Sequence, residues 1–176
     1  TVDDGNGSSD SEDITITVHS VNDPVTLTAV GDQSTDEDND LTIDVSSSDA
    51  DLANYGETHT FTLGCDDESL VTTSCVSTGD YGNTASCTFD VKQDQNGQVA
   101  CMVTVDDGNG SSDSEYIIFT VNAINDEPII VQVDDMVTDE DDDITFPVSA
   151  SDVDIEENGQ CIGFIASSSD MEKVIA

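Results

Sequence analysis

The chain has 176 residues, of which 40 are Asp or Glu and two, Lys92 and Lys173, are basic, for a formal charge of −38. Such a chain repels nucleic acid, whose binding rests on Lys and Arg neutralising phosphates, and disfavours anionic membrane surfaces for the same reason. Hydrophobic residues make up 35% and fall in ordered alternation, which argues against the disorder that high charge and few aromatics otherwise signal.

The first element is the acidic stretch "TVDDGNGSSDSE" at 1–12, followed by "ITITVHSVNDP" at 14–24. Helical periodicity is absent from the chain, and short alternating runs bounded by Gly, Asn, Asp and Ser dominate. Strands are expected near Val25–Val30, Leu41–Val45 and Thr58–Leu63, with a shorter one near Ser69–Thr72. Three more are expected near Thr84–Val91, Gln98–Val105 and Tyr116–Val121. Alternation points Ala85, Cys87, Phe89 and Val91 inward from one strand and Val99, Cys101, Val103 and Val105 from the next. Seven short strands in about 100 residues predict an all-β, immunoglobulin-like antiparallel sandwich.

The twelve opening letters return unchanged at Thr104–Glu115, 103 residues later. "TDEDNDLTIDV" from Thr35 matches "TDEDDDITFPV" from Thr138, and "SDADL" from Ser48 matches "SDVDI" from Ser151, at the same spacing. Self-similarity at a fixed period is the sign of an array, and this period suits one closed domain per unit. The expected organisation is the F–G hairpin of a preceding repeat at 1–22, a complete sandwich at 23–125 and the first half of the next at 126–176, cut from a longer polypeptide. No signal peptide or 18-residue apolar run is visible.

Naming the strands A to G in order, the F–G turn with Asp106 and the B–C turn with Asp49 and Asp51 lie at the end where strand A begins. The A–B turn with Glu37 lies at the other. One junction between units is therefore expected to gather Asn22, Asp23, Asp49, Asp51 and Asp106, and the other Glu37, Asn125, Asp126, Asp152 and Asp154. Two carboxylates about 6 Å apart cost roughly 0.7 kcal/mol in bulk water, so clustered acids call for a counter-ion or full solvation. Calcium, which takes six to eight oxygens from carboxylates, amides, backbone and water, fits the junctions. Asp66, Asp67 and Glu68 read as solvated surface. "DEDND" and "DEDDD" share spacing with an EF-hand loop, but Leu41 and Ile144 stand where that loop needs Gly.

"VNDP", "INDEP", the DxD after strand B, the Glu of the A–B turn and "VDDGNG" after strand F together resemble cadherin and cadherin-like tandem repeats, in particular the long repeats of bacterial and algal surface proteins. The resemblance implies extracellular sandwiches with calcium at the joints. Asn22, Asp23, Asn125 and Asp126 would be linker ligands, Asp49, Asp51, Asp152 and Asp154 the B–C pairs, Asp106 the F–G aspartate and Glu37 the A–B glutamate. The linker is shorter than the family's DxNDN and the acidic motif before strand F is missing, which implies fewer ions per joint.

On this reading the protein is a structural, non-enzymatic extracellular or cell-surface array: a fibre, stalk or adhesin shaft whose partners are neighbouring repeats or copies of itself. The alternatives are a cell-adhesion module binding a glycan or protein, for which 5% aromatics and no Trp offer poor sugar-stacking platforms, and a non-catalytic spacer of a secreted enzyme. Asn6 and Asn109 sit in Asn-Gly-Ser acceptor patterns for glycans.

An extracellular setting favours disulfides among Cys65, Cys75, Cys87 and Cys101. Of the three connectivities, 65–75 and 87–101 are expected, because Cys87 and Cys101 point inward from consecutive strands and Cys65 is close in sequence to Cys75. Cys161 has no counterpart one repeat earlier and would pair beyond the segment or in another chain; a zinc site lacks a CxxC pair. His19 and His59 are isolated and read as exposed strand residues.

Overall fold

The structure, a computed structural model, describes residues 1–52, 56–155 and 160–169. Among these no α-helix forms. The strands in chain order are β1 (Val2–Asp3), β2 (Ser9–Asp10), β3 (Thr26–Leu27), β4 (Gln33–Asp36), β5 (Leu41–Ser48), β6 (Thr60–Cys65), β7 (Val71–Thr78), β8 (Thr84–Val91), β9 (Gly97–Asp106), β10 (Ser112–Asn122), β11 (Ile129–Ile130) and β12 (Ala150–Ser151). Two four-stranded sheets, ordered β3-β5-β8-β7 and β4-β10-β9-β6, face each other. Every pairing is antiparallel except β10 with β4. This is the expected sandwich, with its halves in an immunoglobulin-like order.

The alternating residues close the core. Ala85, Cys87, Phe89 and Val91 from β8 meet Val99, Cys101, Val103 and Val105 from β9, with Ile117, Phe119 and Val121 of β10 beside them, all buried. Phe89 and Phe119 stack across the two sheets with ring centroids 4.2 Å apart. Burying side chains of this size stabilises the unit by about 1.5–3 kcal/mol each.

Three elements differ from expectation. The first strand is split: β3 pairs with β5, the chain turns at Gly31 (φ +71°), and β4 joins the opposite sheet parallel to β10. The β4 sequence "QSTD" has no apolar alternation, so only its pairing with Phe119–Asn122 makes it a strand. The short strand expected near Ser69–Thr72 instead runs Val71–Thr78, because its polar, Thr-rich half pairs with β8 as far as Thr84.

The expected disulfides 65–75 and 87–101 are corrected. Cys65 bonds Cys101 and Cys75 bonds Cys87, with Cα atoms 4.0 and 4.1 Å apart. Each pair occupies directly opposed positions on neighbouring antiparallel strands, β6 with β9 and β7 with β8. Cys87 and Cys101 belong to strands consecutive in sequence but in opposite sheets. Cys161 is exposed and free.

The 103-residue repeat recurs in backbone detail. The β1–β2 register, Val2 with Asp10 and Asp3 with Ser9, reproduces Val105 with Asp113 and Asp106 with Ser112. The β11–β12 register, Ile129 with Ser151, reproduces Thr26 with Ser48. Asp38 and Asp141 both take a positive φ in the same turn. Ile14, Ile16 and Val18, the counterparts of buried Ile117, Phe119 and Val121, are exposed.

Candidate metal centres at the two ends of the sandwich

Strands β9 and β10 pair from Asp106–Ser112 at one end to Gly97–Val121 at the other, a span of about 30 Å at the usual strand rise. Each end carries acids.

At the first end, the phrase "DDGNG" folds as a turn organised by its own carboxylates. Asp107 Oδ1 accepts from the backbone N–H groups of Asn109 and Ser111, and its Oδ2 from Asn22 Nδ2 at 3.0 Å. Burial alone would raise its pKa, but the donors Asn22, Ser111, Asn109 and Gly110 outweigh it and hold the carboxyl at about 2. Asp4 makes the same turn bonds in the first copy of the phrase, and the N–H groups of Asn6 and Ser8 lower its pKa.

Asn22, Asp23, Asp49 and Asp51 lie together at this end: the Asp23 N–H donates to Asp51 Oδ2 and the Asp51 N–H to Asp49 Oδ1, both at 2.7 Å. Asp106 does not join them. Alternation after inward Val105 turns Asp106 to solvent, where it accepts from Gly108 N–H, and brings Asp107 inward instead.

Two residues that the sequence reading did not assign to this end complete it. Glu57 is 3% exposed and its Oε1 accepts from Asn109 Nδ2 at 2.8 Å. His59, expected on an exposed strand, is 0% exposed; it shares the inward parity of Phe61 and Leu63, a signal the alternation carried. His19, expected on an exposed strand, is exposed but lies outside any strand. Asn6 is exposed, whereas the Asn109 amide is engaged by Glu57.

At the second end Glu37, 3% exposed, accepts from the Ile124 N–H through Oε1 and from Asn96 Nδ2 through Oε2. The N–H of Asp126 donates to Asp154 Oδ2 at 2.7 Å and that of Asp154 to Asp152 Oδ1 at 3.0 Å, the same pattern as Asp23, Asp51 and Asp49. Asn125 is held by Gln160 Nε2 at 2.8 Å.

Carboxylate oxygens of Glu37, Asp126 and Asp154 lie within 4.8 Å of one another, as do those of Asp38, Asp94 and Asp126. Burial, followed by repulsion from Asp94, Asp154, Asp38 and Glu37, raises the Asp126 pKa. Asp38 and Asp94 were not singled out from sequence; Asp38 sits inside the "TDED" phrase, but Asp94 carried no signal. Such an all-oxygen group suits a hard cation.

No protein-family model matches the chain, and no curated protein is significantly similar to it. Among solved structures, domains 4 and 5 of the S-layer protein SbsC are similar over 62% of this chain and 50% of that one, with 16% identity and a TM-score of 0.42. The sialic acid binding region of a Streptococcus sanguinis adhesin is similar over 62% of this chain and 34% of that one, at 12% identity and a TM-score of 0.45. An endo-fucoidan hydrolase of glycoside hydrolase family 107 is similar over 57% and 14%, at 13% identity and a TM-score of 0.42. The present chain thus spans half or less of each of these.

Proposed function

We propose that this protein is a structural, non-catalytic stretch of an extracellular array of sandwich repeats, a fibre, stalk or adhesin shaft whose joints are stiffened by calcium. The observation that carries the reading is the meeting of Glu37, from the A–B turn of one unit, with Asp126 and Asp154 from the next. These carboxylates belong to different repeats and face one another across a linker of a few residues. A calcium ion there is coordinated by both units at once, so repulsion that would splay the joint becomes shared coordination. Two disulfides support an oxidising, extracellular compartment.

Small-angle scattering of a multi-repeat protein tests this, in chelator and in millimolar calcium at fixed ionic strength. Calcium is expected to lengthen and narrow the distance distribution; identical profiles would leave the acids as solvated surface.

A further inference from the structure

We propose that Asp49, Glu57 and His59, at the first end of the complete sandwich, form a site for one divalent transition-metal ion of the zinc class, distinct from the all-carboxylate cluster at the second end. Asp49 Oδ2, Glu57 Oε2 and His59 Nε2 are all buried and have no hydrogen-bond partner among the described residues. Asp49, Glu57 and His59 each offer a ligand atom within 4.8 Å of those of the other two. The other atom of each group is engaged. Asp49 Oδ1 accepts from Asp51 N–H, Glu57 Oε1 from Asn109 Nδ2, and His59 Nδ1 lies 2.6 Å from Ser47 Oγ.

Ser47 Oγ lies 2.6 Å from His59 Nδ1 and 3.4 Å from the Asn83 carbonyl, so in the arrangement this proposal requires the hydroxyl turns to that carbonyl and its oxygen accepts from Nδ1–H. That tautomer puts a lone pair on Nε2. Three converging acceptors with no donor, in a buried place, are costly unless a cation joins them. The Ser47 contact is also the outer hydrogen bond that ordinarily fixes a metal-bound imidazole.

The donor set selects the ion. Calcium prefers oxygen only, whereas imidazole nitrogen with carboxylates suits zinc and its neighbours, with three protein ligands and a water completing the shell. The next repeat carries Gln160 and Ile162 where this one has Glu57 and His59, so the site belongs to this unit and not to the joint device. Its position gives it a role. Asp49 follows β5 and His59 precedes β6, strands of opposite sheets, and both disulfides lie within a sheet. The ion is a staple between the sheets.

The test is a titration of the full chain with zinc by calorimetry, in saturating calcium so that the joints are occupied, together with ¹⁵N spectra of the His59 ring. One zinc per chain is expected, with Nε2 shifted as a metal ligand and Nδ1 protonated. Glu57→Gln and Asp49→Asn each weaken binding by at least about tenfold, and Ser47→Ala by about tenfold. Cys161→Ser, which removes the exposed thiol, leaves binding unchanged. Since His59 is fully buried, the near-isosteric Glu57→Gln is the decisive variant, its fold checked by melting without zinc. Equal zinc binding by wild type and Glu57→Gln would overturn the proposal. So would a His59 ring that does not respond to one equivalent of zinc, because a proton would then be what neutralises the cluster.

Discussion

The carboxylate of Asp113 accepts a hydrogen bond from the backbone N–H of Leu27 at 2.8 Å. It is the middle of three such clasps. Ser111 Oγ accepts from Val25 N–H at 3.1 Å, and Glu115 accepts from Val30 and Gly31 at 2.7 and 3.0 Å. The "SSDSE" half of the repeated phrase thus supplies side-chain acceptors for backbone donors of the first strand region, where it leaves one sheet for the other. Asp113→Ala is expected to destabilise the unit by about 1–3 kcal/mol, the cost of leaving a partly buried N–H unsatisfied. Denaturant unfolding measures it; a loss below about 0.5 kcal/mol would mean that water replaces the carboxylate.

The two disulfides close loops with sequence separations of 36 and 12 residues. On the chain-entropy account, removing Cys65–Cys101 should cost about 1 kcal/mol more than removing Cys75–Cys87. Paired Cys→Ala variants compared by urea midpoint check the order. Mass spectrometry of unreduced digests is expected to link 65 to 101 and 75 to 87.

Calcium bound at the second joint as proposed would add stability, because the unfolded chain holds no preformed site, by about 2.7 kcal/mol at a hundredfold excess over the dissociation constant. Asp126→Asn with Asp154→Asn is expected to abolish most of the calcium-dependent rise in melting temperature. Asp49→Asn with Asp51→Asn, at the other end, should leave this joint's share intact. A rise in melting temperature that survives in Asp126→Asn with Asp154→Asn would argue that calcium acts on bulk charge.

Asp107 gives the fold an acid-labile component. Its folded pKa of about 2 lies below the ordinary 3.8, so the stability it contributes is fully present above the unfolded value and is lost as pH falls from there through about 2. Asp107→Asn should weaken the protein near neutrality yet show a shallower loss between pH 4 and 2. Parallel acid-titration curves for the two proteins would refute the assignment.

Alternation and the 103-residue recurrence by themselves determined much of this protein: an all-β sandwich, the inward faces of β8 and β9, and the gathering of Asn22, Asp23, Asp49 and Asp51 at one end and Glu37, Asp126 and Asp154 at the other. These follow from local chemistry, since the period-2 pattern sets which way each side chain points and a repeat copies its turns. What only the tertiary structure decided depends on which strands become neighbours. Cys87 and Cys101 both point inward, yet they lie in different sheets, and register pairs each with a cysteine on its own sheet. "QSTD" becomes a strand because Phe119–Asn122 offers it an edge. Asp107 displaces Asp106 because the turn after β9 keeps the strand's parity for one more residue. Glu57 and His59 meet Asp49 because the ends of β5 and β6 converge from opposite sheets, a closeness that no spacing along the chain expresses.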